Sequence, residues 1–384
     1  MKKLIFKKFA KDVFQLFLLV SISISLIVWV IQAVNFLDIV TEDGHGFKVY
    51  FLYTLLSLPK IFSKILPFIY FVSLFYIILR YENNNELIIF WSIGIKKIEF
   101  VNVLLKFSIF YLILQLLLTS FVVPLTLDKA RSYIRGSNLD LFSSIIQEKK
   151  FIDTVKNLTI FVEEKNDYGI LKNIFLKEKI GRNQYQVIIA KEGKIEKKNN
   201  KSTFLLFDGK IINTSNEKTN FFEFTKTEVN LSKFSTKTTT HPKIQETITS
   251  DVLTCIFRFK NYSNPLILKM FDTEKQLINC KYENIKESFQ EIFKRFVSPF
   301  YLPVLSLIAC LIIIKSKDDY KYNKYKFGLF FLGVSAIIIS EISIKYSSIN
   351  VFQNIYLVSL PALFFLSIYL YFKIKLKKPN LINP

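Results

Sequence analysis

Residues Val13 to Leu37 read VFQLFLLVSISISLIVWVIQAVNFL, a stretch without a single charged side chain. An apolar helix of about 20 residues crosses the bilayer hydrocarbon, so this stretch alone predicts a membrane span. Met1 to Lys11, just before it, carries five lysines. The apolar run is too long for a secretory signal and has no small-residue cleavage site, so it reads as a retained first helix. Beyond the acidic, glycine-containing turn Asp38 to Gly46, a second apolar stretch runs from Phe47 to Leu79. If helical throughout it would be about 50 Å long, more than the bilayer core. Pro59 divides it, which places the second span at Ile61 to Leu79 and leaves Phe47 to Leu58 as a helix at the outer interface.

Four more spans follow on the same criterion: Ile98 to Val123, ended by Pro124; Phe296 to Ile314; Phe327 to Tyr346; and Val351 to Phe372. Lysine is concentrated in the N-terminus, in Arg80 to Lys97, in Lys315 to Lys326 with five, and in the tail at Lys373, Lys375, Lys377 and Lys378. Positive charge in short loops marks the cytoplasmic face. Both termini are therefore expected inside, and the long segment Pro124 to Arg295 outside. Lysines within that segment do not conflict with this, because long translocated domains escape the charge rule.

Between the two sets of spans the period of the pattern changes. Short β-prone pieces, Leu158 to Val162, Ile170 to Leu176, Tyr185 to Ala190, Phe204 to Phe207 and Phe221 to Phe224, alternate with turn clusters such as Asp208-Gly209 and Asn213 to Asn216. Strands at a spacing of roughly 8–12 residues predict a sandwich or jelly roll. Thr247 to Arg295 is charged and helical in pattern. The fold class expected is thus an α-helical polytopic membrane protein of six transmembrane helices, three and three, with an inserted all-β, jelly-roll-like domain. Its parts are residues 1–123, 124–295 and 296–384.

The chain has 384 residues, is 51% hydrophobic and carries a formal charge of +21. Arginine is scarce and lysine abundant, so the charge is discounted as a sign of nucleic-acid binding. Cys255, Cys280 and Cys310 have no metal-ligand spacing, and the two histidines, His45 and His241, stand far apart; no metal and no cofactor is expected. Cys255 and Cys280 could pair in an oxidising compartment, although two cysteines are a weak signal. No Gly-x-x-x-x-Gly-Lys-Ser/Thr loop is present to cradle a nucleotide phosphate, and no hydrolase or zinc-protease motif occurs. No catalytic residue is assigned, and any ATP must be hydrolysed by another protein.

The segment Asn83 to Lys97, NNNELIIFWSIGIKK, carries the most information. Its asparagines suit an N-cap, Glu86 suits the positive end of a helix dipole, and Gly94 suits a C-terminal stop. It predicts a short cytoplasmic helix, residues 84–95, apolar on most faces, which either docks on a partner or lies under the headgroups. Asn85-Glu86-Leu87 followed by Ser92-Ile93-Gly94-Ile95-Lys96 resembles the signature of the LptF/LptG family, permeases of the lipopolysaccharide exporter. Thr54 to Lys60 and Leu66-Pro67 resemble the second-span region of that family, and the order of spans and β-domain is similar over the whole chain. Glu291 to Phe296 with Pro299 is more like LptF than LptG. Asn85 departs from the Ser or Asp common in the family, and with arginine scarce any family role of an arginine falls to lysine or is absent.

The resemblance implies a heterodimer with a second permease of the same type, a cytoplasmic ABC ATPase dimer, a periplasmic bridge protein of the LptC/LptA type, and lipopolysaccharide as cargo within the inner membrane. It implies that Glu86, Leu87, Phe90 and Gly94 couple to the ATPase. On depth alone, Lys60 with Lys64 and Lys48 either anchors the interface or binds lipid phosphate; the resemblance favours binding. Glu341 and Lys345, spaced i, i+4 near the outer end of the fifth span, either snorkel as an ion pair or face protein. In the family a lateral gate lies there. A non-transporting scaffold that binds a partner through its β-domain is the rival function.

Overall fold

The computed structural model of the chain describes residues 2–41, 46–137, 146–155, 157–166, 169–181, 184–198, 201–215, 218–231, 243–260, 280, 284–347 and 350–377. His45 and His241 lie outside them. Among the described residues six helical stretches are long and apolar enough to cross a membrane: Lys2–Val40, Phe47–Asn83, Lys97–Ile134, Ile285–Ile314, Tyr322–Tyr346 and Phe352–Leu376. The first three precede and the last three follow a six-stranded antiparallel sheet. The chain is an α-helical polytopic membrane protein with an inserted β-domain.

Its helices are α1 (Lys2–Asn35), α2 (Asp38–Thr41), α3 (Phe47–Leu56), α4 (Leu58–Asn83), α5 (Glu86–Ser92), α6 (Lys97–Leu117), α7 (Val123–Ser137), α8 (Thr249–Lys260), α9 (Ile285–Phe296), α10 (Tyr301–Cys310), α11 (Tyr322–Tyr346) and α12 (Val351–Lys377). On α1 the buried side chains Phe9, Val13, Phe17, Ser21 and Ser25 recur every fourth residue and form one seam. Leu19, Ile22 and Ile27 on its other faces are more than half exposed, as suits a helix bathed in lipid. The junction between α3 and α4 falls at Ser57, and Pro59 occupies the first turn of α4. A proline there loses no helical hydrogen bond.

Pro124 does not end the third span. A π turn, Leu118–Val122, follows α6 and α7 continues through the proline to Ser137. In the π turn the Val123 N–H already reaches back five residues to Leu118 C=O, so the regular ladder is broken before the ring is met and the missing donor costs little. The fourth span is likewise segmented: α9 leads through a 3-10 turn, Ser298–Phe300, that holds Pro299, into α10 and a second 3-10 turn, Leu311–Ile314.

Two compact units divide the chain, residues 1–30, 57–128 and 243–384 in one and 31–56 and 129–242 in the other. The first is a helical bundle around α10, whose Leu302, Leu305, Leu307 and Ile308 are wholly buried. Inside it some polar groups pair with one another, as a hydrocarbon surrounding favours. Tyr70 and Ser306 share a hydrogen bond, and Gln115 Nε2 donates to Ser63 C=O at 2.8 Å. Gly333 on α11 meets α4 so closely that a Cβ there would lie 2.0 Å from the Phe71 ring. Cys255 and Cys280 form a disulfide with Cα atoms 5.7 Å apart, and Cys310 is a buried free thiol.

In the second unit the strands are β1 (Lys150–Val155), β2 (Leu158–Lys165), β3 (Ile170–Lys179), β4 (Gln184–Lys198), β5 (Lys201–Ser215) and β6 (Lys218–Asn230). They pair in consecutive order, each with its chain neighbours. Along one line the ladder skips a pair in every strand from β2 to β6, at Glu163, Asn173, Lys191, Asp208 and Thr225. Asn173 and Asp208 have φ of 50° and 45° there, and the Asn173 amide donates to Glu163 at 2.6 Å. Side chains alternate faces with a period of two, and this crease switches the phase. On β3 the core side chains are Leu171 before it and Ile174 and Leu176 after it. On β5 they are Phe204 and Leu206, then Ile211. One sheet thereby folds over its own core, and the crease keeps the apolar side inward on both leaves.

Candidate functional site

Lys60 sits in the first turn of α4, half-buried. The charged groups acting on it are Lys294, Glu246, Lys243 and Glu291. Among the described residues its ammonium has no hydrogen bond or ion pair. Lys294 is tied to Glu291 at 3.4 Å. Three ammonium groups and two carboxylates thus lie within electrostatic reach at one end of the bundle, with Lys294 paired and Lys60 not. Lys64 lies one turn further along α4 and is exposed. Lys48 belongs to α3 in the other compact unit.

Arg295 organises this end of the bundle. It is fully buried, and it donates from Nε to Glu291 at 3.0 Å, from Nη1 to Thr247 C=O at 3.1 Å and Thr249 Oγ1 at 2.9 Å, and from Nη2 to Gln245 C=O at 3.3 Å. The Thr119 hydroxyl in the π turn donates to Arg295 C=O at 3.0 Å, and Thr249 donates to Ser120 C=O. A planar guanidinium with a fork of donors suits such a node better than an ammonium would. Through it α9, the start of α8, the 3-10 turn Ile244–Glu246 and the π turn of the third span are held as one block. The sequence signalled Lys294-Arg295 only as part of a motif. Lys243 carried no signal, because nothing local shows that it returns beside α4.

At the other end of the bundle lies α5. Leu87 and Phe90 are buried in the chain's own core, Phe90 edge-on to Phe6 at 5.6 Å and Phe100 at 5.5 Å. This corrects the expectation that they form an outward docking face. Ile88 and Ile89 point out instead, more than half exposed. A short helix apolar on every side gives no periodicity from which its buried face can be read. Glu86 is partly exposed, with Lys8 at 3.7 Å. Asn85 is left-handed, with φ 60°, and makes no side-chain cap, contrary to the reading of these asparagines as caps; asparagine tolerates that conformation. Gly94 closes the helix at φ +78°, which glycine adopts without strain, and Ile95 N–H returns to Phe90 C=O at 3.1 Å.

Glu341 and Lys345 are both exposed on α11, and no ion pair joins them. Just before Glu341, Ser340 faces inward, 3.1 Å from the Ser298 hydroxyl, and Gln290 donates to Lys345 C=O at 3.0 Å.

A model of the family described as lipopolysaccharide export system permease LptF/LptG matches residues 8–375. The uncharacterized protein RP871 of Rickettsia prowazekii (strain Madrid E) is 26% identical over 205 residues, 53% of this chain and 56% of that protein. The chain therefore matches that curated relative over about half of its length.

Proposed function

The chain belongs to the LptF/LptG family of lipopolysaccharide export permeases, and on that premise we propose that it is an LptF-like subunit of an inner-membrane exporter. Permeases of this family are transport subunits and not enzymes. In this reading the chain pairs with a second permease of the same type, a cytoplasmic ATPase dimer supplies the energy, and a periplasmic bridge protein of the LptC/LptA type receives the lipid. The observation that carries it is the layout: one sheet inserted between two sets of three apolar helices, within a family match over nearly the whole chain.

The orientation proposed puts both termini in the cytoplasm and the segment 124–295 in the periplasm. The Cys255–Cys280 disulfide supports it, since disulfides persist on the oxidising side of that membrane. Lys60, with Lys64, is proposed to meet lipid phosphate, and its unpaired ammonium beside Lys294 and Lys243 is in keeping with an anion site. Lys48 is kept as a further phosphate contact on α3. Glu341 and Lys345 are proposed to lie at a lateral gate, where an intramembrane charge faces protein or water. At the coupling helix, Glu86 with the outward Ile88 and Ile89 would contact the ATPase, and Leu87, Phe90 and Gly94 would hold its shape.

Native mass spectrometry of the solubilised complex tests the assembly. One copy of this chain with a second permease and two ATPase subunits is expected. A particle lacking any ATPase would refute the reading in favour of the scaffold.

A further inference from the structure

Short helix α5 belongs to the first set of spans, and the loop 315–321 to the second. Lys317 in that loop is half-buried, and its ammonium donates to Asn85 Oδ1, the residue just before α5. Twelve residues further on, Lys97 donates to Ile313 C=O at 2.8 Å and lies over the Trp91 ring of α5 at 5.9 Å. Glu82, at the end of α4, is within electrostatic reach of both lysines.

The loop is bonded within itself. Asp319 accepts from Lys321 N–H at 2.9 Å and pairs with Lys315 at 3.5 Å, and Tyr322 N–H returns to Asp319 C=O at 2.8 Å. The Lys321 N–H, and after it the Lys315 ammonium, holds the Asp319 carboxyl below the usual carboxylate range. Helix α11 begins at Tyr322, immediately after this clasp. Asn85 is thus connected through one side-chain contact and one hydrogen-bonded turn to the base of α11.

Asn85 makes no side-chain cap at its left-handed φ, and its carboxamide is committed across the bundle. We propose that Asn85 and Lys317 form a latch that transmits movement of α5 to α11, making both of them positioning residues for lipid export. This rests on the reading of α5 as the contact for an ATPase.

The test compares Asn85→Gly, which tolerates the left-handed backbone and deletes only the carboxamide, with Lys317→Met, the double variant and Asn85→Asp. The complex, purified with its ATPase and second permease, is reconstituted in proteoliposomes with lipopolysaccharide, and lipid released per ATP hydrolysed is measured. Losing one charge-assisted hydrogen bond of this kind is expected to lower the ratio about fivefold in each single variant. The double variant should be no worse than the poorer single, because the two residues act through one contact. Asn85→Asp, which keeps the acceptor, should match the unaltered chain, and basal ATP hydrolysis should not change in any of them.

An unchanged ratio in either single variant, or losses that multiply in the double, would overturn the latch and leave the coupling reading standing. Failure of any ATPase to copurify with the unaltered chain would overturn both.

Discussion

Replacing Arg295 by methionine keeps the length of the side chain and removes its charge and all its donors. Four hydrogen bonds are lost, two of them to backbone carbonyls at Gln245 and Thr247 and one to the Glu291 carboxylate. Glu291 keeps Lys294 at 3.4 Å and is 12% exposed, so its penalty is softened. Each orphaned buried acceptor costs about 1–3 kcal/mol, and deleting one member of a buried pair costs about 3–5 kcal/mol in total. These terms describe the same event and do not add; roughly 3 kcal/mol is the lower bound expected. The loss falls on the block that Arg295 joins, so it appears as local opening of the segment Lys243 to Lys260. With tenfold for every 1.4 kcal/mol, amide exchange there should accelerate at least about a hundredfold. Hydrogen–deuterium exchange with mass spectrometry in detergent reads this directly, with α10 as an internal standard that should not move. Arg295→Lys should fall between the two, since one ammonium cannot span the same fork of acceptors. Exchange in Lys243 to Lys260 that stays within a factor of two of the unaltered chain would show that Arg295 does not hold this block.

At Lys60, methionine should lower photocrosslinking to lipopolysaccharide roughly tenfold, the worth of one charge-assisted hydrogen bond of ~1.5 kcal/mol. Glutamate should lower it further because it would also engage Lys294 and Lys243; equal crosslinking in all three forms would return Lys60 to an anchoring role. Alkylation of the denatured chain should find one thiol, Cys310, before reduction and three after it, and Cys255→Ser should destabilise the protein by about 3 kcal/mol. Three reactive thiols without reductant would remove the support for an oxidising compartment. Glu86→Lys should abolish copurification of the ATPase while membrane insertion persists, and the swap Lys8→Glu with Glu86→Lys should not restore it. Recovery in the swap would mean that Glu86 matters only for its internal pair with Lys8.

Six apolar helices and their grouping in threes were legible in the sequence because hydrocarbon thickness sets a length no soluble helix needs to match. The β character of the middle third was legible too, but the strand lengths were not. Tyr185 to Ala190 and Phe204 to Phe207 are each only part of a 15-residue strand, cut where the crease at Lys191 and Asp208 reverses the alternation. Pro124 misled for a related reason, since a proline stops a helix only where the hydrogen-bond ladder is intact. The family resemblance pointed to Glu86 and Lys60. It could not point to the buried phase of Leu87 and Phe90, to Lys243, or to the partner of Asn85, because these depend on which distant segments meet.

Each strand from β1 to β6 pairs only with strands adjacent in the chain, whereas a Greek-key connection would bring remote strands together. Contacts of low sequence separation need little loop closure and form early. The sheet can therefore be assembled one hairpin at a time, in the order in which the chain is synthesised. No strand has to wait exposed for a partner still being synthesised, which limits the interval in which an open edge could pair with another chain.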